Sequence, residues 1–193
     1  MAKALSELTL DELWQLFPII LKPYNINYPQ IFQRQQKLII NQLGKANIFR
    51  LNHIGSSAVV GLPAKPTIDL LLELQEDFCP ENVVAALEPI GFSYEGNPTI
   101  KSGEMLFYKG YTPDGFAAEV FHLHLRNPGD WDELYFRDYL RLHPEIADEY
   151  AVLKAELAVK YKFDRDAYTL AKGDFIRRQT AAARIEFPGR YQP

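Results

Sequence analysis

The sequence predicts an α+β fold, a mixed β-sheet flanked by helices and followed by a C-terminal helical segment. Three observations carry that prediction. Helical patterns occupy the N-terminal part of the chain, a cluster of strand-like runs follows, and helical periodicity returns from Trp131 to about residue 185. The run "TIDLLLEL" is apolar without alternation, as expected of a strand buried on both faces. "EMLFYKGYT" and "FAAEVFHLHL" flank a short "PDG", the pattern of a hairpin.

Taken in order, Thr9 and Glu12 have capping-box spacing and start a first helix that ends or kinks near Pro18. "YPQIFQRQQKLIINQLG" places Pro29 in a first turn, Ile31, Leu38, Ile39 and Leu43 on an apolar stripe, and Gly44 as a stop, which predicts a second helix. "ANIFRLNHI" is a strand running into Gly55, and "TIDLLLEL" is the next. "PENVVAALEPIGF" predicts a short third helix stopped by Gly91. Beyond Trp131, Pro144 and the Asp164/Asp166 cluster divide the helical stretch into three.

A chain of 193 residues can bury one core and falls short of what two independent domains usually need. A single domain is expected, with its sheet-bearing core over about residues 28–126 and C-terminal helices over about 131–185. The net charge of −4 comes from interspersed acids and bases, so there is no basic stripe for a duplex nucleic acid. No apolar run approaches the ~20 residues of a membrane span. The start, "MAKALSELTLDEL", lacks a signal-peptide layout, and the lone Cys79 has no partner for a disulfide or a zinc site. A cytoplasmic location is expected.

The stretch "HIGSSAVVGLPAKPTIDLLLEL" carries the candidate chemistry. A glycine at a strand-to-turn junction allows a ligand to approach the backbone closely, and the hydroxyls and amides of Ser56 and Ser57 can donate to phosphate oxygens. Lys65 adds a cation to the same loop. Asp69 interrupts an apolar strand, where a bare carboxylate costs several kcal/mol unless it meets a cation, donors or water. A Gly-Ser turn followed by a strand aspartate resembles the nucleotidyltransferase superfold, in which the turn holds a triphosphate and two aspartates one residue apart hold Mg²⁺. The second aspartate position is Leu71. Glu73 shares the face of Asp69 but lies roughly 13 Å away at ~3.3 Å per residue, too far for metals about 4 Å apart. Glu119, on a later strand, is either a third metal ligand or a surface residue.

In "FHLHL", His122 and His124 share one face of their strand and could contact phosphate, bind metal or transfer a proton near neutral pH. His53 is expected to support the loop. In "WDELYFRDYLRLHP" an apolar face of Trp131, Leu134, Tyr135, Tyr139 and Leu142 carries Asp138 in its middle. Arg141 is its expected partner. Arg137 and Arg141, four residues apart, form a pair suited to phosphate or carboxylate, unless they are a structural network with Asp138. Lys154 and Lys172 each lie beside a helical apolar stripe, which their stems are expected to cover.

"HIGSSAVVGLPAKPTIDLLLEL", "HLHL", "FRDYLRLHPEIADEYAVLKAELA" and the late Tyr168, Lys172, Phe175 and Ile176 together resemble the bacterial GrpB family over roughly residues 20 to 180. The resemblance implies a nucleotidyltransferase-like mixed sheet, and in some bacteria a similar domain is fused to dephospho-CoA kinase. Val60 departs from the family's usual proline in "AVPGL", whereas an aliphatic residue at the place of Leu71 is a family trait. Three functions follow. The first is nucleotidyl or phosphoryl transfer to a small molecule, with Mg²⁺ and a nucleoside triphosphate as cofactors. In it Gly55, Ser56, Ser57, Lys65, Arg137 and Arg141 hold the nucleotide, Asp69 and Glu119 the metal, and Asp69, His122 and His124 the chemistry. The second is a non-catalytic sensor of a nucleotide or phosphometabolite, and the third a module docking a protein partner through its C-terminal helices.

Overall fold

A computed structural model describes residues 4–75, 79–94 and 104–193. Five strands form one mixed sheet: β1 (Ile48–Ile54), β2 (Thr67–Leu74), β3 (Ser93–Tyr94), β4 (Met105–Thr112) and β5 (Gly115–Arg126), in the spatial order β1-β2-β5-β4-β3. Only the central β2–β5 pair is parallel; the β1–β2, β4–β5 and β3–β4 pairs are antiparallel. The α+β architecture is thus the one the sequence predicts.

The helices are α1 (Leu10–Leu16), α2 (Tyr28–Leu43), α3 (Pro80–Leu87), α4 (Asp132–Leu142), α5 (Pro144–Lys160), α6 (Arg165–Ala171) and α7 (Gly173–Glu186). Thr9 caps α1 through the reciprocal bonds expected with Glu12. Gly44 ends α2 with a positive φ, as its place after the apolar stripe predicts. The C-terminal segment forms four helices where three were expected. The additional break falls at Lys172–Gly173, where α6 ends and α7 begins. The two-residue β3 is too short to carry a periodic signal.

Because side chains alternate along a strand, each strand of this sheet sends one set to each face. Leu70, Leu72 and Leu74 of β2, with Phe121, Leu123 and Leu125 of β5 and Phe107 of β4, pack under Ile39 of α2 and Val83 and Leu87 of α3. This is the principal core. On the other face Leu71 packs with Ile54 and Leu134 of α4. A satellite core joins Val59 and Leu62 of the loop after β1 to Leu140, Tyr150 and Phe175 of the C-terminal helices. Those helices therefore close over the second face of the sheet, and the loop between β1 and β2 lies between them and the strands. On α4 the buried apolar positions include Leu134, Tyr135 and Leu140, while Leu142 is 58% exposed, so the apolar face is rotated from the one the wheel predicts. Val159, Leu170 and Ile185 on α5 to α7 are also exposed, each above 80%. Among the described residues no helix is long and apolar enough to cross a membrane.

Candidate functional site

The parallel register of β2 and β5 sets Asp69 beside His122 and Leu71 beside His124, so the aspartate and both histidines emerge on the face covered by the C-terminal helices. The Gly55 turn follows directly from β1, whose last residue, Ile54, pairs with Asp69. Gly55 has φ +70, and a Cβ there would overlap the Asp69 carboxylate. Both the backbone angle and the close approach require glycine. Together these groups line a cavity of about 870 Å³, to which the C-terminal helices contribute Tyr150, Lys154, Arg165, Tyr168 and Lys172. Lys65 enters it from the loop preceding β2.

Asp69 and His122 are a hydrogen-bonded pair, 3.1 Å from Oδ1 to Nδ1. Burial alone would raise the Asp69 pKa. The His122 hydrogen bond and the neighbouring Lys65 outweigh it and hold the carboxyl down at about 2. Burial lowers the His122 pKa, so at pH 7 the ring is neutral and its Nδ1–H donates to Asp69. Its Nε2 then accepts from the Tyr111 hydroxyl at 2.6 Å, and that hydroxyl in turn accepts from Arg165 at 2.9 Å. Both ring nitrogens of His122 are occupied, which makes it a positioning group. His124 lines the same cavity, and burial likewise lowers its pKa. Of the two imidazoles it is the one left to meet a ligand.

The lysines have the least compensation. Lys154 is 2% exposed, and its ammonium donates to Ser56 Oγ at 3.0 Å and to the Pro63 carbonyl, both neutral acceptors. Burial, then repulsion from Lys172 and Lys65, push its pKa down to about 7. Lys172 sits with its ammonium 4.2 Å from the centre of the Tyr168 ring; burial and Lys65 bring it to about 8. Lys65 falls to about 8 through burial and the nearby Arg165, against the opposing pull of Asp69. Among the described residues none of these three lysines has a carboxylate within ion-pair distance. Their role as apolar-surface cover, expected for Lys154 and Lys172, is overturned by the packing of α5 and α7 over the sheet.

Several expected groups stand elsewhere. Glu119 points to the opposite face of the sheet from Asp69 and pairs with Arg34 of α2 at 2.5 Å, because it is odd-numbered on a strand whose even positions face the cavity. It is a surface ion pair, and its place as a metal ligand is withdrawn. Glu73 is fully buried and spends both oxygens on Arg50 at 2.6 Å. Ser57 lies where the two cavities meet, with its Oγ 3.0 Å from His53 Nε2, so His53 supports the loop as expected. Arg137 and Arg141 line a second cavity of about 760 Å³ on the far side of the Gly55–Ala58 turn. Arg137 is bound to Asp138, Asn52, the His53 carbonyl and the Tyr191 hydroxyl, and Arg141 grips the Ala58 carbonyl at 3.0 and 2.8 Å. Asp138 is held chiefly by Arg137 at 2.7 Å, with Arg141 at 3.3 Å, reversing the expected order of partners.

The donor set does not fit a Mg²⁺ held between Asp69 and Glu119. Asp69 is the only acidic side chain contributed to the cavity by the β2–β5 pair, one of its oxygens is engaged by His122, and no three His, Cys, Asp or Glu side chains among the described residues converge as a metal site would require.

Fold and site define a class, an α+β protein in which a Gly-Ser turn and a strand aspartate front a cation-lined cavity roofed by C-terminal helices. The chain belongs to the GrpB family: the family described as GrpB protein matches residues 18–182. A UPF0157 protein of Pseudomonas aeruginosa is 37% identical over 81% of this chain, and the glutamate-rich protein GrpB of Alkalihalophilus pseudofirmus is 30% identical over 82% of this chain and 91% of its own length. The crystal structure of the conserved protein GrpB from Enterococcus faecalis superposes with a TM-score of 0.75 at 28% identity, covering 87% of this chain and 99% of that one. The chain spans 64% of the Pseudomonas relative and 44% of a Bacillus subtilis relative, UPF0157 protein YqkA.

Proposed function

We propose that the cation-lined cavity binds the phosphate chain of a small molecule, a nucleoside triphosphate or a comparable polyphosphate, as the donor for transfer of a nucleotidyl or phosphoryl group. The observation that carries this reading is the convergence of Lys65, Lys154, Lys172 and Arg165 on one cavity whose sheet contributes a single carboxylate. Cations without an ion-pair partner are costly to bury; Asp130 and Asp132 of the same lining are taken by Arg184 and Glu133 by Arg126, which leaves Asp69 facing the four cations and favours an anionic ligand among them. Lys65, Lys172 and Arg165 would neutralise charge building on the phosphoryl oxygens, and Gly55 lets those oxygens reach the backbone. A neutral His124 could accept a proton from an attacking hydroxyl. Asp69 and Tyr111 fix the ring of His122 and, through Tyr111, the place of Arg165.

A second reading, binding without turnover, is favoured by Leu71, which fills the position of a second carboxylate with buried packing. A thermal-shift panel of nucleotides and inorganic tripolyphosphate tests the shared premise, since a ligand that binds only the folded state raises its stability. At least one polyphosphate should raise the Tm of the wild type, and Lys65→Gln and Lys172→Gln should each reduce that rise. Incubation of the bound nucleotide with candidate hydroxyl acceptors, followed by phosphorus NMR, separates transfer from binding alone. A panel with no response, or variants that respond like the wild type, would remove the phosphate assignment.

A further inference from the structure

We infer that this cavity takes its phosphate ligand free of a divalent ion, with lysine ammonium groups supplying the positive charge that a bound metal would otherwise bring. The inference rests on the reading of the ligand as a polyphosphate and goes on to name its form.

The sheet has no place for a second carboxylate. Leu71, the position adjacent to Asp69 on the same face of β2, is fully buried against Ile54 and Leu134, so the α4 packing that stabilises this end of the sheet excludes a polar ligand there. Glu73, next along the face, is fully buried and locked to Arg50, with one oxygen also accepting from the Gly129 amide at 2.9 Å. Asp69 itself is already engaged by His122 and pressed against Gly55. A hard dication needs near-octahedral oxygen ligands, usually one or two carboxylates besides the phosphates. On the sheet it finds only the committed Asp69, and of the other acids lining the cavity Asp130 and Asp132 are held by Arg184, Glu133 by Arg126, and Asp166 is exposed on α6.

The positive charge arrives by a different route. Lys154 comes from α5, Arg165 from α6, Lys172 from the α6–α7 junction and Lys65 from the loop before β2, so four cations approach the space in front of Asp69 from separate elements. Beyond the effect of burial, Lys172 and Lys65 disfavour the charged form of Lys154, Lys65 that of Lys172, and Arg165 that of Lys65. A dication entering that space would meet the same repulsion, whereas a tri- or tetra-anion relieves it. Mg²⁺ and the lysines therefore compete for one set of phosphate oxygens, and the preferred ligand is the uncomplexed polyphosphate.

Titration calorimetry of the full chain with sodium tripolyphosphate, in EDTA and then in excess MgCl₂, tests this directly. Binding is expected in EDTA, with affinity falling about tenfold or more as Mg²⁺ sequesters the ligand. Asp69→Asn supplies an independent sign. The asparagine Oδ1 can still accept from His122, so removing the negative charge should tighten tripolyphosphate binding severalfold, whereas loss of a metal ligand would weaken it. Binding seen only with Mg²⁺, or weakened in Asp69→Asn while its melting without ligand is unchanged, would overturn the inference and leave the phosphate reading in place. The wild-type EDTA and Mg²⁺ arms decide the matter if the variant fails to fold. Absence of binding in both arms would overturn the phosphate reading and this inference together.

Discussion

Two cavities of similar volume, about 760 and 870 Å³, lie on opposite sides of the Gly55–Ala58 turn and hold their cations in opposite conditions. In one, Arg137 is engaged by Asp138, Asn52 and the His53 carbonyl, and the half-exposed Arg141 by the Ala58 carbonyl and Asp138, so both hold the turn and α4 together. In the other, Lys65, Lys154 and Lys172 gather with no carboxylate in ion-pair reach among the described residues. The contrast teaches that charge alone does not mark a binding site. A cation already matched with acceptors stabilises the fold, whereas an unmatched one costs folding free energy that only a ligand can return.

The largest expected effect comes from breaking the matched side. Arg137→Met should cost about 3–5 kcal/mol, because it leaves the Asp138 carboxylate buried with weaker partners. Urea unfolding of the variant would show this, and a loss near zero would mean that Arg137 is not what holds Asp138. At the same time the tripolyphosphate response should persist at temperatures where the variant is folded.

The unmatched side should show itself in the pH dependence of stability. The folded-state pKa values of Lys154, Lys65 and Lys172, about 7, 8 and 8, lie below the ordinary 10.5, so between those limits the unfolded chain holds more protons than the folded one. Stability without ligand should therefore rise with pH, by about 2–5 kcal/mol between pH 7 and 9, the lower figure being the share of the buried Lys154 alone. The raised pKa values of Tyr150 and Tyr168 act in the opposite direction only above pH 10. Saturating tripolyphosphate should flatten or invert the slope, since it favours the charged lysines. Melting curves across that range would expose a flat ligand-free profile if the lysines were matched after all.

The smallest effect is expected for Arg141→Lys, which keeps the charge but loses one of two bonds to the Ala58 carbonyl. A loss of about 1 kcal/mol is expected, with tripolyphosphate affinity held within about threefold. A much larger fall in affinity would place Arg141 in the ligand site and erase the distinction between the cavities.

Much of the site was legible because strand periodicity is strict. Asp69, His122 and His124 fall on one face once β2 and β5 pair in register, and Gly55 announces a turn that only glycine can make. The same parity rule puts Glu119 on the other face, where it pairs with Arg34. The lysines were harder to read. A lysine beside a helical apolar stripe looks the same in sequence whether its ammonium reaches water or is enclosed, and only the packing of α5 and α7 over the sheet decides it. The available signal in sequence is the run of Tyr168, Lys172, Phe175 and Ile176 that the chain shares with the GrpB family. Arg137 and Arg141 show a related limit: helical spacing shows that they share a flank, not which side of the Gly55 turn that flank meets.

Lys154 offers the most direct test, because its charge serves the ligand at the expense of the fold. Holding that ammonium at a pKa of about 7 costs on the order of 4 kcal/mol, against about 1–3 kcal/mol for the hydrogen bonds it gives to Ser56 and Pro63. Scanning calorimetry of Lys154→Met at pH 7, with and without tripolyphosphate, reads both sides at once. The prediction is a ligand-free Tm raised by about 3–6 °C and a stabilisation by tripolyphosphate that is largely lost. A lowered ligand-free Tm with the tripolyphosphate response intact would contradict it, and would make Lys154 a strut between the Gly-Ser turn and the loop at Pro63.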